Sequence, residues 1–429
     1  MLKDFKISKL APYLIFLVLS LPLERIPSWE FFGYTLKINQ FAVIILFIVF
    51  FVYWLKKKVK IVNNIFIPLI FLFLGAGLLS FWHSAVLERS IIFFLLYVFV
   101  ALLFIILPSI IEDEKILKLI AKYLFIITAV VCLFGLYQYL GDKFGLSTHF
   151  TGLRELYTKE ILGFPRIQST LIEPLYLANF LIIPGSLLLA LFLSDQLKTK
   201  WLWLGLFFVI FLTVFALTVS RSGYLALVTA FLVIISLRFK EFFTWKKFLF
   251  LFSVLVFSAL LVVILLGNAI YGFTAHNRQA VSTSNQEPSA VERRATDAMA
   301  IQAFKKYPLS GIGLGNFGPY YAHYPSTTPA GGWQTVNNEY LEILAESGIF
   351  GFLTFIIFLA VLLYRSWLAY KKVRNQYLSA FLLGSTAALV GILVQYYFFS
   401  TLYIIYIWFL MGLIVAIQEM VLTKIPNPK

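Results

Sequence analysis

The sequence predicts an all-α, polytopic membrane protein with about 12 transmembrane helices and one large, partly helical external loop. The first observation is composition: 61% of the 429 residues are hydrophobic and only 13% are charged. Soluble proteins usually carry about 45–50% apolar and about 25% charged residues. An excess of this size cannot be buried in a water-soluble core, so soluble enzymes, coiled coils, collagens and disordered chains are excluded.

The second observation is the length of the apolar runs. A helix needs about 17–25 mostly apolar residues to cross the hydrocarbon layer of a bilayer. The first run is interpreted as a retained span, because Leu23-Glu24-Arg25 follows it where a signal peptide would have a small-residue cleavage site. The twelve predicted spans are 9–24, 38–55, 65–82, 90–111, 116–140, 170–193, 201–219, 222–237, 248–267, 347–365, 377–399 and 401–422.

The third observation is that every second connection between these runs is rich in lysine or arginine, as the cytoplasmic loops of membrane proteins are. An even number of spans with both termini in the cytoplasm follows from this alternation. The net charge of +15 is therefore attributed to cytoplasmic loops and membrane lipids, and no nucleic acid partner is expected. The basic set contains Lys3, Lys6, Lys9, Lys56, Lys57, Lys58, Lys60, Lys115, Lys198, Lys200, Arg238, Lys240, Lys246, Lys247, Arg365, Lys371, Lys372 and Arg374.

Two connections on the opposite side are too long to be simple turns, at about 141–169 and 268–346. The expected organisation is nine transmembrane helices in 1–267, a large external loop in 268–346 and three transmembrane helices in 347–429. Long ordered loops in compact proteins are often functional. Within the larger loop, the apolar spacing of Val291–Tyr307 predicts a helix that Pro308 ends.

No metal or other cofactor is expected. The one cysteine, Cys132, excludes an intrachain disulfide and any CxxC site. The four histidines lie far apart in the chain, and none has the HExxH spacing of a metalloprotease.

Arginines near the ends of apolar runs are the first candidates for a binding site. Arg221, in Thr218-Val219-Ser220-Arg221-Ser222-Gly223, is either a snorkelling interfacial residue or a phosphate ligand, because a guanidinium group matches phosphate oxygens and stays charged at any pH. Arg293 and Arg294 open the predicted loop helix, and adjacent helical residues point about 100° apart, so only one is expected to face a site. They are either solvent-exposed surface residues or, with Arg221, Lys305 and Lys306, part of a basic cavity that binds a diphosphate.

Three further groups are weighed as candidates. The carboxylates of Glu173 and Glu346 lie near membrane borders, where an acid is either catalytic or paired for structure. His323 could accept a proton near neutral pH, although a surface histidine is the simpler interpretation. The glycines of Pro308–Phe317 are interpreted as tight turns, because a dinucleotide fingerprint needs a preceding strand.

Four segments resemble the O-antigen ligase/polymerase superfamily. Asn337-Asn-Glu-Tyr-Leu-Glu-Ile-Leu-Ala-Glu-Ser-Gly-Ile-Phe-Gly351 is similar to the family's hallmark, and Pro308-Leu-Ser-Gly-Ile-Gly-Leu-Gly-Asn-Phe317 to the segment before it. Ser220-Arg221-Ser222 resembles the family's Ser-Arg element, and Arg166-Ile-Gln-Ser-Thr-Leu-Ile-Glu173-Pro174 its approach to a mid-chain span. The ordered motifs cover about residues 160–360.

The resemblance implies a GT-C-type glycosyltransferase of the bacterial plasma membrane. Such enzymes take a glycan from undecaprenyl diphosphate at the outer face, without a nucleotide sugar or an obligatory metal. The implied partners are the undecaprenyl-diphosphate-linked glycan and an acceptor glycan, and a chain-length regulator is a further candidate.

The resemblance also assigns candidate residues. Arg221 matches the first diphosphate-binding arginine, and Arg293 the second, with Arg294 as the alternative. Asn337 stands where the ligases have a catalytic histidine, and neutral asparagine cannot act as a general base. His323 or Glu339 would replace it, or the acceptor is deprotonated only late. The catalytic candidates are Arg221, Arg293, Asn337 and His323, and the substrate-binding candidates are Arg294, Arg166, Glu173, Asn338, Glu339 and Glu346.

The leading functional hypothesis is a polysaccharide polymerase that joins one lipid-linked glycan to another. A ligase that transfers glycan to lipid A-core or to protein is the near alternative. A transporter or flippase is the distant one, disfavoured because the polar candidates cluster at the outer face instead of mid-membrane.

Overall fold

The computed structural model describes residues 2–25, 28–31, 34–197, 199–267, 288–322 and 333–423. Each of the twelve predicted apolar runs coincides with a helix in these ranges, and the predicted loop helix is also present. The main helices are α1 (Leu2–Ser20), α2 (Ile38–Leu55), α3 (Phe66–Leu79), α4 (Leu87–Ile110), α5 (Glu114–Lys143), α6 (Pro174–Leu193), α7 (Trp201–Leu217), α8 (Arg221–Leu237), α9 (Trp245–Leu266), α10 (Pro288–Lys306), α11 (Glu339–Lys372), α12 (Gln376–Gln395) and α13 (Ile405–Leu422).

Nine helices in the described ranges are long and apolar enough to cross a membrane, and three apolar helices are shorter: Lys9–Ser20, α7 and α8. The strands in the same ranges form a single hairpin, Ser28–Phe31 paired antiparallel with Tyr34–Lys37. The prediction of an all-α polytopic membrane protein is therefore confirmed.

The chain divides into two compact units. Unit 1 contains residues 1–59, 110–282 and 373–392, and unit 2 contains 60–109, 283–372 and 393–429. Each unit is described by itself below.

Unit 1 is built around α6, whose apolar stretch is 89% buried. This helix packs on α8, where a Cβ atom at Gly223 would lie 2.7 Å from the Cβ of Ala178. On the same helix α8, the carbonyl oxygen of Ala226 would lie 2.5 Å from a Cβ atom at Gly391 of α12. Small residues let the backbones approach closely, which is how transmembrane helices commonly associate.

Unit 2 is organised by α11, which packs on α3, α10 and α13. The helix is kinked at Gly348, where φ is +64°. A Cβ atom there would lie 2.4 Å from the carbonyl oxygen of Leu309, so glycine is required both by the backbone conformation and by the space. Gly348 interrupts the long helical run Glu339–Lys372. The kink therefore lies at the predicted border between the external loop and the span 347–365.

The segment 308–317 lies against this kink. The backbone N–H groups of Ile312 and Gly313 donate to the carbonyl oxygens of Ala345 and Glu346, both at 3.0 Å. Three glycines in the segment have positive φ, so the predicted tight turns are confirmed: Gly311, Gly313 and Gly315. Turns at alternate residues hold this loop close to the helix end.

Helix α10 confirms the predicted helix at Val291–Tyr307 and ends, as expected, just before Tyr307-Pro308. Its buried alanines, Ala300 and Ala303, pack with Ile312, Val336 and Ala345 in one apolar cluster. This cluster positions α10, the glycine loop and the start of α11 relative to one another within unit 2.

Candidate functional site

The sequence-predicted site residues fall into both units. Unit 1 contains Arg166, Glu173 and Arg221, and His323 lies outside the described residues. The other six are in unit 2: Arg293, Arg294, Asn337, Asn338, Glu339 and Glu346.

Arg221 is the first residue of α8 and is exposed. The helix begins there because the Oγ atom of Ser220 accepts a hydrogen bond from the backbone N–H of Gly223 at 3.2 Å. A helix N-terminus carries a partial positive charge that favours anions. The guanidinium group of Arg221 and this helix end therefore contribute positive potential at the same place.

Arg166 lies close to Arg221 in unit 1. Its Nε atom donates to the carbonyl oxygen of Thr218 at 2.9 Å, which ties it to the connection between α7 and α8. Burial is the main cause that lowers the pKa of Arg166, and the positive charge of Arg221 lowers it further. Two like charges are thus held together by backbone contacts.

A second arginine pair lies beside the first. The guanidinium groups of Arg154 and Arg166 lie 5.9 and 5.8 Å from the ring centroid of Tyr157. Both cations therefore make a cation–π contact with the same ring. Burial raises the pKa of Tyr157, and the negative charge of Glu173 raises it further. Glu173 contacts this group through Arg154, with 3.5 Å between Oε1 and Nη1.

Arg25 completes the group. Its backbone N–H donates to the carbonyl oxygen of Thr170 at 3.1 Å, and its Nη1 atom donates to the carbonyl oxygen of Gly152. Burial lowers the pKa of Arg25, and the nearby charge of Arg154 lowers it further. We call Arg25, Arg154, Arg166 and Arg221 the arginine cluster.

The arginine cluster carries more positive than negative charge. Four guanidinium groups against the carboxylate of Glu173 leave three positive charges in excess among these five side chains. A group of like charges is costly unless an anion neutralises it. Sequence reasoning found Arg166, Glu173 and Arg221 but missed Arg25 and Arg154. The signal that could have indicated them is their position, directly after the first apolar run and within the 141–169 connection.

In unit 2, Arg293 and Arg294 are both exposed on α10. The Oγ1 atom of Thr296 lies 2.9 Å from the carbonyl oxygen of Arg293 and 3.2 Å from that of Val336, so this turn of α10 lies beside the residue before Asn337. Burial raises the pKa of Asp297, and the positive charge of Arg293 opposes that shift. Arg293 therefore has an acidic neighbour one helical turn away.

Asn337 and Asn338 lie at the start of α11. Asn337 has a φ of +57° and accepts a hydrogen bond from Oγ1 of Thr335 at 3.4 Å. The Oδ1 atom of Asn338 accepts from the backbone N–H of Leu341 at 3.2 Å, as a helix-capping side chain does. Part of the hydrogen-bonding capacity of Asn338 is thus used to begin the helix.

Glu339 and Glu346 are buried, with 2% and 5% of their surfaces exposed. The Oε2 atom of Glu339 accepts from the backbone N–H groups of Thr401 and Leu402 at 2.6 and 2.9 Å. The two carboxylate oxygens of Glu346 accept from those of Gly315 and Phe317 at 2.7 and 3.0 Å. Both acids hold loops of unit 2 in place. The sequence analysis left a structural role open for Glu346, as pairing with an arginine, and considered Glu339 only as a base or a substrate ligand.

These features describe an integral membrane protein with a concentrated cationic site. Residues 206–356 match the family model described as O-antigen ligase, an interval that contains Arg221, Arg293 and the 308–317 and 337–351 motifs. This match confirms the resemblance to the O-antigen ligase/polymerase superfamily. A search of curated proteins found no match.

Proposed function

We propose that this protein is a polysaccharide polymerase that transfers a glycan from undecaprenyl diphosphate to the end of another lipid-linked glycan. The arginine cluster is the observation that carries the proposal. Its excess of positive charge suits a diphosphate, and the guanidinium fork pairs with phosphate oxygens in fixed geometry. Both termini are then cytoplasmic, and residues 268–346 face outward at the plasma membrane.

The chemistry of the proposed step is a substitution at the anomeric carbon of the donor sugar. A hydroxyl oxygen of the acceptor forms the new bond while the bond from that carbon to the diphosphate oxygen breaks. Negative charge grows on the departing diphosphate, and the arginine cluster is placed to neutralise it. Holding both glycans in place contributes the rest of the rate acceleration, because positioning makes a bimolecular reaction effectively unimolecular.

The proton of the acceptor hydroxyl needs a destination. The carboxylate of Glu339 is buried and accepts two backbone hydrogen bonds, so it is poorly placed to act as a base, and the same holds for Glu346. Asn337 has no basic atom at neutral pH. His323, the other candidate base, lies outside the described residues. We propose late deprotonation, in which the proton leaves as the diphosphate departs and is taken by that diphosphate or by water.

A ligase that uses lipid A-core or protein as its acceptor is the second candidate. The family match, with its description as O-antigen ligase, favours this activity. Asn337 at the position of the ligase histidine favours the polymerase. The two activities share the donor and differ in the acceptor, so the product distinguishes them.

The test is a reconstituted reaction with purified protein in liposomes and a purified lipid-linked repeat unit. Growth of the glycan on its polyprenyl carrier is expected. A single transfer to added lipid A-core, without growth, would identify a ligase, and movement between leaflets without growth would identify a flippase. Either of these two results would overturn the polymerase proposal.

Arg293 and Arg294 form a matched pair for the same assay. Arg293→Ala is expected to abolish polymer formation, since the resemblance assigns Arg293 as the second family arginine, whereas Arg294→Ala should retain most of it. Equal activity of the two variants would remove the assignment of Arg293. Their amounts in the membrane serve as the control for folding, because both side chains are exposed.

A further inference from the structure

Unit 2 contains an open apolar groove that the proposed reaction does not yet use. The groove has a volume of about 580 Å³ and lies at the end of α3 and the 3₁₀ turn Ser80–His83 that follows it. Its apolar lining includes Leu79, Trp82, Leu309 and Phe350, and Trp82 is 87% exposed. Because α3 and the 3₁₀ turn together form a candidate membrane span, a groove at their end is within reach of lipid chains.

One edge of the groove is polar. The Nδ1 atom of His83 lies 2.8 Å from the Oγ atom of Ser310, and both residues line the groove. The imidazole ring is stacked on the ring of Tyr307, with 4.3 Å between centroids and 28° between planes. The ammonium group of Lys306 lies 5.3 Å from the centroid of that same tyrosine ring.

This arrangement joins two kinds of chemistry. The imidazole and the hydroxyl that line the groove can donate hydrogen bonds to a phosphate, and the nearby ammonium group of Lys306 favours its negative charge. The apolar lining suits a long hydrocarbon chain. A free anion would gain nothing from the apolar lining, and a soluble sugar would gain only stacking on an aromatic ring such as Trp82, whereas a lipid phosphate uses both parts. Burying each methylene of such a chain contributes about 0.8 kcal/mol.

We propose that the groove binds the polyprenyl carrier of the acceptor glycan, with its phosphate at His83 and Ser310 and with the positive charge of Lys306 nearby. The inference rests on the proposed function, since a polymerase that extends one lipid-linked glycan from another must hold two carriers. The arginine cluster of unit 1 serves the donor, and the groove of unit 2 serves the acceptor.

The experiment uses purified full-length protein in nanodiscs of phosphatidylcholine and a polyprenyl monophosphate that carries a photoreactive diazirine near its phosphate. After irradiation, labelled peptides are mapped by mass spectrometry. Labelling is expected within residues 78–87 and 306–310, and unlabelled polyprenyl monophosphate should suppress it. Equal suppression by phosphatidylglycerol would overturn the proposal in favour of a general phospholipid surface, and absence of label at these residues would also overturn it.

Variants sharpen the result. Leu309→Asp should reduce labelling by about tenfold or more, because the new carboxylate repels phosphate and removes apolar contact. Ile301→Asp, at another exposed aliphatic residue of unit 2, is the control and should label normally. The combined variant His83→Ala and Lys306→Ala tests the polar edge separately and should weaken labelling in the same direction. Unchanged labelling in both test variants would contradict the assignment.

Failure of this inference and failure of the proposed function are distinguishable. Labelling needs no catalysis, so binding of a polyprenyl carrier in the groove would still be detected if the reconstituted protein proved to be a ligase or a flippase. Only the assignment of that carrier to the acceptor glycan would then fail. Arg221→Ala should leave labelling of the groove unchanged while it lowers the rate of transfer by about 10²–10³-fold.

Discussion

The ionisable residues of the two units have opposite surroundings. In unit 1, four arginines lie in one cluster with the carboxylate of Glu173, and two of them, Arg154 and Arg166, lie over the same tyrosine ring. In unit 2, the carboxylates of Glu339 and Glu346 each accept two backbone hydrogen bonds and are almost fully buried. A charge near the end of an apolar run therefore means two different things. Where like charges gather, an anionic ligand is indicated, and where backbone amides bind a buried carboxylate, the charge holds the fold.

The largest expected effect is on catalysis by the arginine cluster. Arg221→Ala should lower the rate of glycan transfer by about 10²–10³-fold, as the loss of one donor to a developing anion typically does. The rate is measured on purified lipid-linked glycan. Arg221→Lys should be intermediate, since lysine retains the charge but loses the planar fork.

The control for this prediction is the amount of protein in the membrane and its thermal unfolding. Arg221 is exposed, so neither should change. If Arg221→Ala transferred glycan at the wild-type rate, the contrast between the two units would fail, because the arginine cluster would not bind the departing diphosphate.

The next effect is on stability in unit 2. Glu346→Gln should reduce the free energy of unfolding by about 1–3 kcal/mol, because an amide offers one oxygen where Gly315 and Phe317 now use two. Thermal unfolding in detergent, followed by tryptophan fluorescence, measures the loss.

Glu173→Gln is the matched control for stability. The carboxylate of Glu173 is 39% exposed, its ion pair with Arg154 is 3.5 Å long, and an amide oxygen can still accept its hydrogen bond from Tyr157, so unfolding should change little. If Glu346→Gln unfolds like the wild type while its rate of transfer falls, Glu346 is part of the chemistry and the structural interpretation is wrong.

The smallest effect is on anion affinity. Glu173→Gln removes the negative charge that contacts Arg154, so inorganic pyrophosphate should bind a few-fold more tightly. Exposed ion pairs contribute about 0.2–1 kcal/mol, which bounds the change at about fivefold. Calorimetric titration at low and high salt checks it, and the gain should shrink as salt screens the cluster. Weaker binding would instead make Glu173 a direct ligand of the substrate.

The sequence by itself determined the membrane-embedded, all-helical class and the approximate place of each helix. Hydropathy is a local property, since about twenty consecutive apolar residues favour a membrane-spanning helix whatever residues surround them. It also determined the turn glycines and the loop helix, because φ above zero and an apolar helical period are local demands as well. The family motifs belong to the same level, since they are short stretches of neighbouring residues.

Only the tertiary structure decided which charges share a site. Arg25, Arg154, Arg166 and Arg221 are separated by up to 196 positions in the chain. No local pattern predicts that Arg25 contacts the backbone at Gly152 and Thr170, or that Arg166 contacts the backbone at Thr218. Likewise, Glu339 and Glu346 are plausible catalytic acids by sequence alone. The structure shows that backbone N–H groups already donate hydrogen bonds to both carboxylates. The physical reason is that the surroundings of a charge depend on contacts between residues distant in sequence, whereas the tendency to form a helix in a membrane does not.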